Sequence, residues 1–303
     1  MNNLCYIVIL NYNGHSDTLG CIKSILNSNY SNYKIIIIDN KSTDDSINII
    51  KRYIVKYQYG YEHYRHNNKL ISKKILNNNI TIIESKFNGG YAYGNNVGIQ
   101  YSINKNNCKY IWILNNDTYV YPDTLDELIN SDKKTNTDTI WGSKVLNNDK
   151  TIQSLGCRLN KIFMNTKHNY NRNVDSDGIF ILNKLDYIHG CSIFFKKKII
   201  YTVGLFDEDY FLYYEDVDFS QNAIKYNIKL NIAQKSRIVH KEAKTIHKSN
   251  YEYLSVTNRI KLSKKYFPKQ IILTYLGIYY ELAKCLIAFK FNKFYNIAIN
   301  LYR

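Results

Sequence analysis

Four short apolar runs punctuate the first part of this chain, and each gives way to polar residues. Tyr6–Leu10 stops at Asn11 and Lys34–Ile38 at Asp39. Ile80–Ile83 leads to Asn88-Gly89-Gly90, and Tyr110–Leu114 stops at Asn115-Asn116-Asp117. Runs of this length, rich in β-branched residues, read as strands buried on both faces. Helix-length segments lie between them. Leu19, Ile22 and Leu26 recur at helical spacing behind Ser16, which is expected to cap that helix. Ile47, Ile50 and Ile54 mark a second helix after the turn-rich stretch Asn40–Asp45. Repeated strand–helix–strand order implies an α/β fold with a mostly parallel central sheet flanked by helices. In such sheets ligands bind beyond the carboxyl ends of the strands, which is where the polar stops fall.

The rest of the chain is less regular. Residues 57–79 are rich in Tyr, Asn and Lys without strong periodicity, and a surface loop or irregular helix is expected there. Residues 147–180 are polar and loop-like. A strand-like run, Ile193–Phe195, is followed by the segment Gly204–Phe219 and by a basic helical region from about Tyr251. Within that region Glu281 and Lys284 interrupt the apolar stretch Ile271–Phe289. Its apolar residues Ile272, Leu276, Tyr279, Leu282, Leu286 and Phe289 recur at helical spacing. That pattern fits a helix lying in a membrane interface or one packed on the domain.

Hydrophobic residues make up 45% of the 303, enough for a full core. The formal net charge is +16. Such an excess either attracts phosphates, acidic glycans, nucleic acids or anionic membranes, or forms a solvated lysine surface. No nucleic-acid-binding module accompanies it, so nucleic acid is not an expected partner. The six cysteines show neither a C-x-x-C pair nor zinc spacing. They read as reduced, mostly buried thiols, which suits a cytoplasmic compartment. No basic-then-apolar leader precedes the first strand, so no signal peptide is expected.

Several residues carry chemistry on their own terms. Asp117, at a strand end, is placed either to ligate a hard divalent cation shared with substrate phosphates or to cap the turn that follows. Asp39 either accepts the imide N–H of a pyrimidine base or caps the Ser-Thr-Asp-Asp turn. Gly89, Gly90 and Gly94 either let backbone approach a ligand or serve as turn glycines. Glu215, Asp216 and Asp218 sit among aromatics. Desolvation there raises a carboxylate's proton affinity and suits a general base, while a helix N-terminus enriched in acids is the plain alternative. His240 follows Ile238-Val239 and is either structural or a metal ligand.

Taken in order, these segments resemble the family 2 inverting glycosyltransferases of the GT-A fold. The likeness begins at Val8–Gly14 and Ile38–Asp44, continues through Asn88–Asn96 and Leu114–Asp117, and returns at Tyr187–Cys191. It runs on through Gly204–Glu208 and Tyr214–Asp218 and closes at Val239-His240. The branch it most resembles is rhamnosyltransferase-like. The resemblance implies a GT-A nucleotide-diphospho-sugar transferase domain over residues 1–250, with a nucleotide-binding half (1–120) and an acceptor-binding, catalytic half (121–250). A basic amphipathic helical region, 251–303, follows. It implies Asn11, Asp39, Asn88, Gly89, Gly90, Gly94, Asn95, Asn115 and Asn116 around the donor, Asp117 and His240 on a Mg²⁺ or Mn²⁺ ion, Asp216 as base with Glu215 beside it, and Gly190 at the acceptor. The implied partners are a nucleotide-diphosphate sugar and a glycan or lipid-linked acceptor, with the chain at the cytoplasmic face of a membrane and in peripheral contact with its anionic surface.

Three departures stand out. Asn115-Asn116-Asp117 keeps one carboxylate where the family carries a D-x-D-like motif. Gln221 and Asn222 stand where relatives often have Arg. Thr257-Asn258-Arg259 replaces an Arg-Asn pair, and Arg259 is the cation expected to substitute in neutralising phosphate. Two rivals remain to be weighed. A sugar-nucleotide pyrophosphorylase needs a glycine-rich arginine loop after the first strand, where this chain has Asn11-Tyr12-Asn13-Gly14. A catalytically inactive sugar-nucleotide- or membrane-binding module has no use for Asp117, Asp216 and His240 together.

Overall fold

The apolar runs alternate between two cores. Ile36 and Ile38 pack with Val8, Ile111 and Ile113 on one side, whereas Ile35 and Ile37 pack with Ile7, Ile9, Trp112 and Leu114 on the other. A strand turns successive side chains to opposite faces, so an unbroken isoleucine run needs a cover on both. The structure, a computed structural model, describes residues 3–65, 69–74, 77–175, 178, 180–182, 184–241 and 248–299.

In chain order the elements are β1 (Cys5–Asn11), α1 (His15–Leu26), β2 (Tyr33–Asp39), α2 (Ser46–Lys56), β3 (Tyr59–Arg65), β4 (Leu70–Lys74), β5 (Asn77–Glu84), α3 (Gly90–Ile103), β6 (Tyr110–Asn115) and β7 (Thr118–Val120). There follow α4 (Thr124–Lys133), β8 (Thr139–Leu146), β9 (Ile152–Ser154), β10 (Cys157–Asn160), β11 (Asn165–His168), β12 (Ser192–Lys196), α5 (Lys198–Val203), α6 (Glu215–Lys225) and β13 (Lys229–His240). The chain ends in α7 (Lys248–Tyr266), α8 (Ile271–Ile287) and α9 (Phe291–Ala298). The main sheet runs β4-β3-β5-β2-β1-β6-β12-β8-β13-β7, with β9 beside β8. The stretch from β3 to β6 is wholly parallel. Ile22 of α1, Ile50 of α2 and Leu128 of α4 cover one face. Ile99 of α3, Ile199 of α5 and Phe219 of α6 cover the other. From β1 the chain passes outward to β2 and returns to β6 on the opposite side, so the crevice above β1 and β6 is the topological switch point.

Glycine lets α3 approach the sheet there. A β-carbon on Gly94 would lie 2.2 Å from Leu10, and one on Gly98 2.3 Å from Val8. The helix therefore rests directly on β1, with its N-terminus at the crevice.

Four expectations are corrected. Residues 57–79 hold two strands, β3 and β4, that extend the sheet edge. They bury little apolar surface, with Leu70 and Ile71 exposed, so no apolar run announced them. Ser16 does not cap α1; Gly14 stands at the N-cap, without a side-chain bond. Residues 147–180 contain β9 and the β10–β11 hairpin, although 176, 177 and 179 lie outside the described residues. In α8 the residues packed inward are Thr274, Gly277, Ile278, Leu282 and Cys285. Of the stripe read from the sequence only Leu282 is buried, because α8 is apolar on opposite faces and periodicity alone cannot fix its phase.

Candidate active site

A continuous chain of polar contacts crosses the switch-point crevice. At the end of β1, Asn11 is fully buried and donates from Nδ2 to Asp39 Oδ1 at 2.9 Å. Ser42 supports Asp39 twice, through Oγ to Oδ1 (2.6 Å) and through its N–H to Oδ2 (2.9 Å). Oδ2 thus keeps a lone-pair direction for a further donor. Thr18 Oγ1 donates to Asn11 Oδ1 at 2.7 Å and accepts from Asn116 Nδ2 at 3.1 Å. The ends of β1 and β6 are thereby joined through one hydroxyl.

The glycine turn is built separately. Asn40 Nδ2 donates to Asn88 Oδ1 (2.9 Å) and to Gly90 O (3.0 Å), and Asn88 Oδ1 also accepts the Gly90 N–H (3.1 Å). Gly90 has φ +83°, and a β-carbon on it would fall 1.9 Å from Phe211 O. That approach lets Tyr91 N–H donate to Phe211 O at 2.7 Å, tying the turn to the acidic segment. Gly94 is accounted for by its packing on Leu10, and Asn95 Nδ2 bonds back to Tyr91 O at 3.0 Å.

Beyond β6, Asp117 Oδ1 lies 3.2 Å from His240 Nε2, and both side chains are buried. His240 Nδ1 faces Gln153 Oε1 at 2.8 Å, while Gln153 Nε2 donates to Asn147 Oδ1 at 3.3 Å. Gln153 thus holds the His240 ring at Nδ1 and leaves Nε2 turned toward the Asp117 carboxylate. Asn115 Nδ2 is 3.4 Å from the same nitrogen, and Asn115 Oδ1 is buried without a hydrogen-bond partner. A carboxylate oxygen and an imidazole nitrogen lie together here, with the Asn115 amide beside them. This O/N set suits a divalent cation such as Mn²⁺. His189 and Cys191 also come within 4.8 Å of His240. Burial, reinforced by His168 and His240, pushes the His189 imidazole well below its usual range. Its Nδ1 accepts Cys191 N–H at 3.1 Å.

The carboxylates of α6 complete the site. Asp216 Oδ2 accepts Gly190 N–H at 2.9 Å and Oδ1 accepts Val217 N–H at 2.8 Å. Burial outweighs these bonds and pushes the Asp216 carboxyl up to about 6. Glu215 is driven well above its usual range by burial and then by Asp216, and its Oε2 has no hydrogen-bond partner. Gly190 gives its N–H to Asp216 and its carbonyl to Tyr91 Oη (2.6 Å), and its missing side chain leaves the Asp216 carboxylate open. Asp218 is drawn away from the site by Lys265, at 2.8 Å. Tyr91 feels both ends of the site: burial first, then Glu215, Asp216, Cys191 and Asp117, raise its hydroxyl.

Arg259 does not face the crevice. It is 2% exposed, donates from Nη1 to both oxygens of Glu281 at 3.0 Å, and from Nε to Phe163 O. Gln221 and Asn222 likewise bond inward, to Asp186 O and Val203 O. Sequence reasoning missed Tyr91, Gln153 and His189 as parts of the site. Tyr91 and His189 lay inside recognised segments, but no pattern in the 147–180 stretch pointed Gln153 at His240.

Comparison with known proteins fits this geometry. The family model for glycosyl transferase family 2 matches residues 6–203, most of the chain. The low-salt glycan biosynthesis hexosyltransferase Agl10 of Haloferax volcanii is 26% identical over 252 residues, covering 78% of this chain and 77% of that protein. The mannosyltransferase PcManGT of Pyrobaculum calidifontis, solved with GDP-Man and Mn²⁺, superposes with a TM-score of 0.57 at 12% identity, over 98% of this chain and 87% of that one. TarS 1-349 of S. aureus, solved with UDP-GlcNAc, gives 0.53 at 14% identity, over 84% and 66%. The fold is of GT-A type, and the chain belongs to glycosyl transferase family 2.

Proposed function

We propose that the protein transfers a hexose from a nucleotide-diphosphate donor to a glycan or lipid-linked acceptor with inversion, and that Asp216 is the base. The observation that carries this reading is an open carboxylate of raised proton affinity, anchored by Gly190, in the same crevice as the Asp117–His240 pair. Asp39 would accept the base imide N–H, with Asn11 and Ser42 holding its carboxylate still. Asn88, Gly89 and Gly90 at the start of α3 would face the donor, and the helix N-terminus there favours negative charge. Asp117 and His240 would hold Mn²⁺ or Mg²⁺, which when bound supplies charge to offset the departing diphosphate. Gln153, 2.8 Å from Nδ1, would orient the His240 ring so that Nε2 faces the ion.

Asp216 takes the acceptor hydroxyl proton as the oxygen attacks the anomeric carbon. One displacement inverts that carbon. Burial and the neighbouring Asp216 raise the proton affinity of Glu215, which disfavours a second negative charge beside the base. The Agl10 likeness supports a hexosyl donor and glycan synthesis. Within the hexoses, rhamnose is the first sugar to test, from the branch resemblance.

A thermal-shift screen of UDP-, GDP- and dTDP-sugars, with and without Mn²⁺, identifies the donor through its stabilisation of the fold. On that donor, Asp216→Asn is expected to lower turnover at least about 10³-fold while donor affinity stays within about twofold. Retained turnover removes Asp216 as base. Asp117→Ala is expected to abolish the Mn²⁺-dependent part of donor binding, about tenfold or more. Unchanged affinity removes it as a ligand. Donor binding without turnover by the native chain across acceptor classes would leave a sugar-nucleotide-binding module instead.

A further inference from the structure

Helix α8 presents two opposite apolar faces. The inner one is fixed: Thr274 Oγ1 donates to Ile162 O at 3.2 Å, and Glu281 takes both bonds from buried Arg259 of α7. The outer one carries Ile272, Leu276, Tyr280 and Ile287, at 71, 55, 62 and 79% exposure. These four fall within about 80° of arc on a helical wheel. Phe289 and Tyr295, further along the chain, are also more than half exposed. Scattered exposed apolar side chains are ordinary, but a contiguous set of this size marks a contact surface. The surroundings are cationic: residues 248–299 carry nine Lys or Arg against two Glu, a net charge of +7. Lys269, Lys284 and Lys290 are exposed around the patch, and Lys284 Nζ sits 4.4 Å from the Tyr280 ring centroid.

We propose that this face rests on an anionic lipid bilayer. Its aliphatic and aromatic side chains would enter the interface while the lysines meet lipid phosphates. A second copy of the chain fits less well, because a two-fold contact brings like charges together. The helix lies on the bilayer rather than crossing it. Pro268–Ile287 has the length and a mean hydropathy of 1.2, but insertion would strip Glu281 from Arg259 and strand a buried cation.

The opposite, inner face of α8 is tied to the segment before α6. Phe163, at the β10–β11 turn, packs on Gly277 of α8, and the next residue, Met164, accepts the Tyr214 hydroxyl at 2.8 Å. Tyr214 stands two residues before Asp216. The docking does not depend on the transferase reading.

The test is vesicle flotation of the full chain with phosphatidylcholine alone and with a phosphatidylcholine–phosphatidylglycerol mixture, at low and high salt. The native chain is expected to float with the anionic vesicles at low salt and to be released by alkaline carbonate. Ile272→Asn with Ile287→Asn leaves the charge untouched and should weaken binding about tenfold or more. Its melting temperature and donor-induced thermal shift should stay native, so loss of docking is separable from failure of the transferase reading. Absence of flotation, equal flotation of the double variant (charge-only adsorption) or carbonate-resistant retention would each overturn the proposal. So would a dimer by light scattering that the double variant converts to monomer.

Discussion

Asp216 links stability to pH with a definite sign. Its carboxyl is pushed from the ordinary 3.8 up to about 6 by burial, so the fold binds that proton more tightly than the unfolded chain does. The stabilisation is complete below pH 3.8 and is lost as pH rises through about 6. Above that the native protein carries a buried carboxylate at a cost of about 1–3 kcal/mol. Asp216→Asn removes the titration, so its melting temperature should exceed the native one by roughly 2–6 °C at pH 8, with the gain vanishing near pH 4. A variant less stable than native at pH 8 would contradict the raised affinity. With Asp216 as the proposed base, the same titration sets the activity profile. Initial rates on the identified donor should climb about tenfold per unit below pH 6 and level off above it.

At the scale of elements, the parallel strands β1, β2, β5 and β6 and the helices between them were written in the apolar runs because parallel strands lose both faces to the core, whereas β8 (Thr139–Leu146), buried throughout but broken by Gly142, Ser143 and Lys144, was not. The edge strands β3 and β4 were not, since half-exposed strands need no such run. The carboxylates of α6 were legible as a group, yet only packing separates their roles. Asp216 faces Gly190, whereas Asp218 faces Lys265. The glycines also divide by element. Gly90 holds φ +83° with Phe211 O where a β-carbon would stand, while Gly20 in α1 has nothing within 4 Å. Gly90→Ala should therefore cost about 2–4 kcal/mol and most of the activity, because the Tyr91–Phe211 bond joins the donor turn to the catalytic segment. Gly20→Ala should stabilise α1 by about 0.5–1 kcal/mol. Urea melts of the pair check both signs, and similar midpoints would mean that Gly90 occupies no strained turn.

Across the whole molecule the core is not one body. The two faces of the sheet hold most of the buried side chains, whereas α7, α8 and α9 share a small cluster of Val256, Ile278, Leu282, Cys285 and Ile297. Local opening follows the number of buried apolar contacts, so this cluster should open before the sheet does. The cysteines report on it directly. All six are free and buried. Burial pushes Cys21, Cys108 and Cys157 up to about 12 and raises Cys5 and Cys191 well above their usual range, so little thiolate is present at pH 8. Disulfide-exchange labelling of the native protein should then wait for an opening event. In mild urea Cys285 should react first, in a phase that Cys285→Ser removes, and the other five should follow with global unfolding. A single phase for all six would instead mean that α8 opens only when the sheet does, which would bind the proposed lipid-facing helix and the catalytic crevice into one cooperative unit.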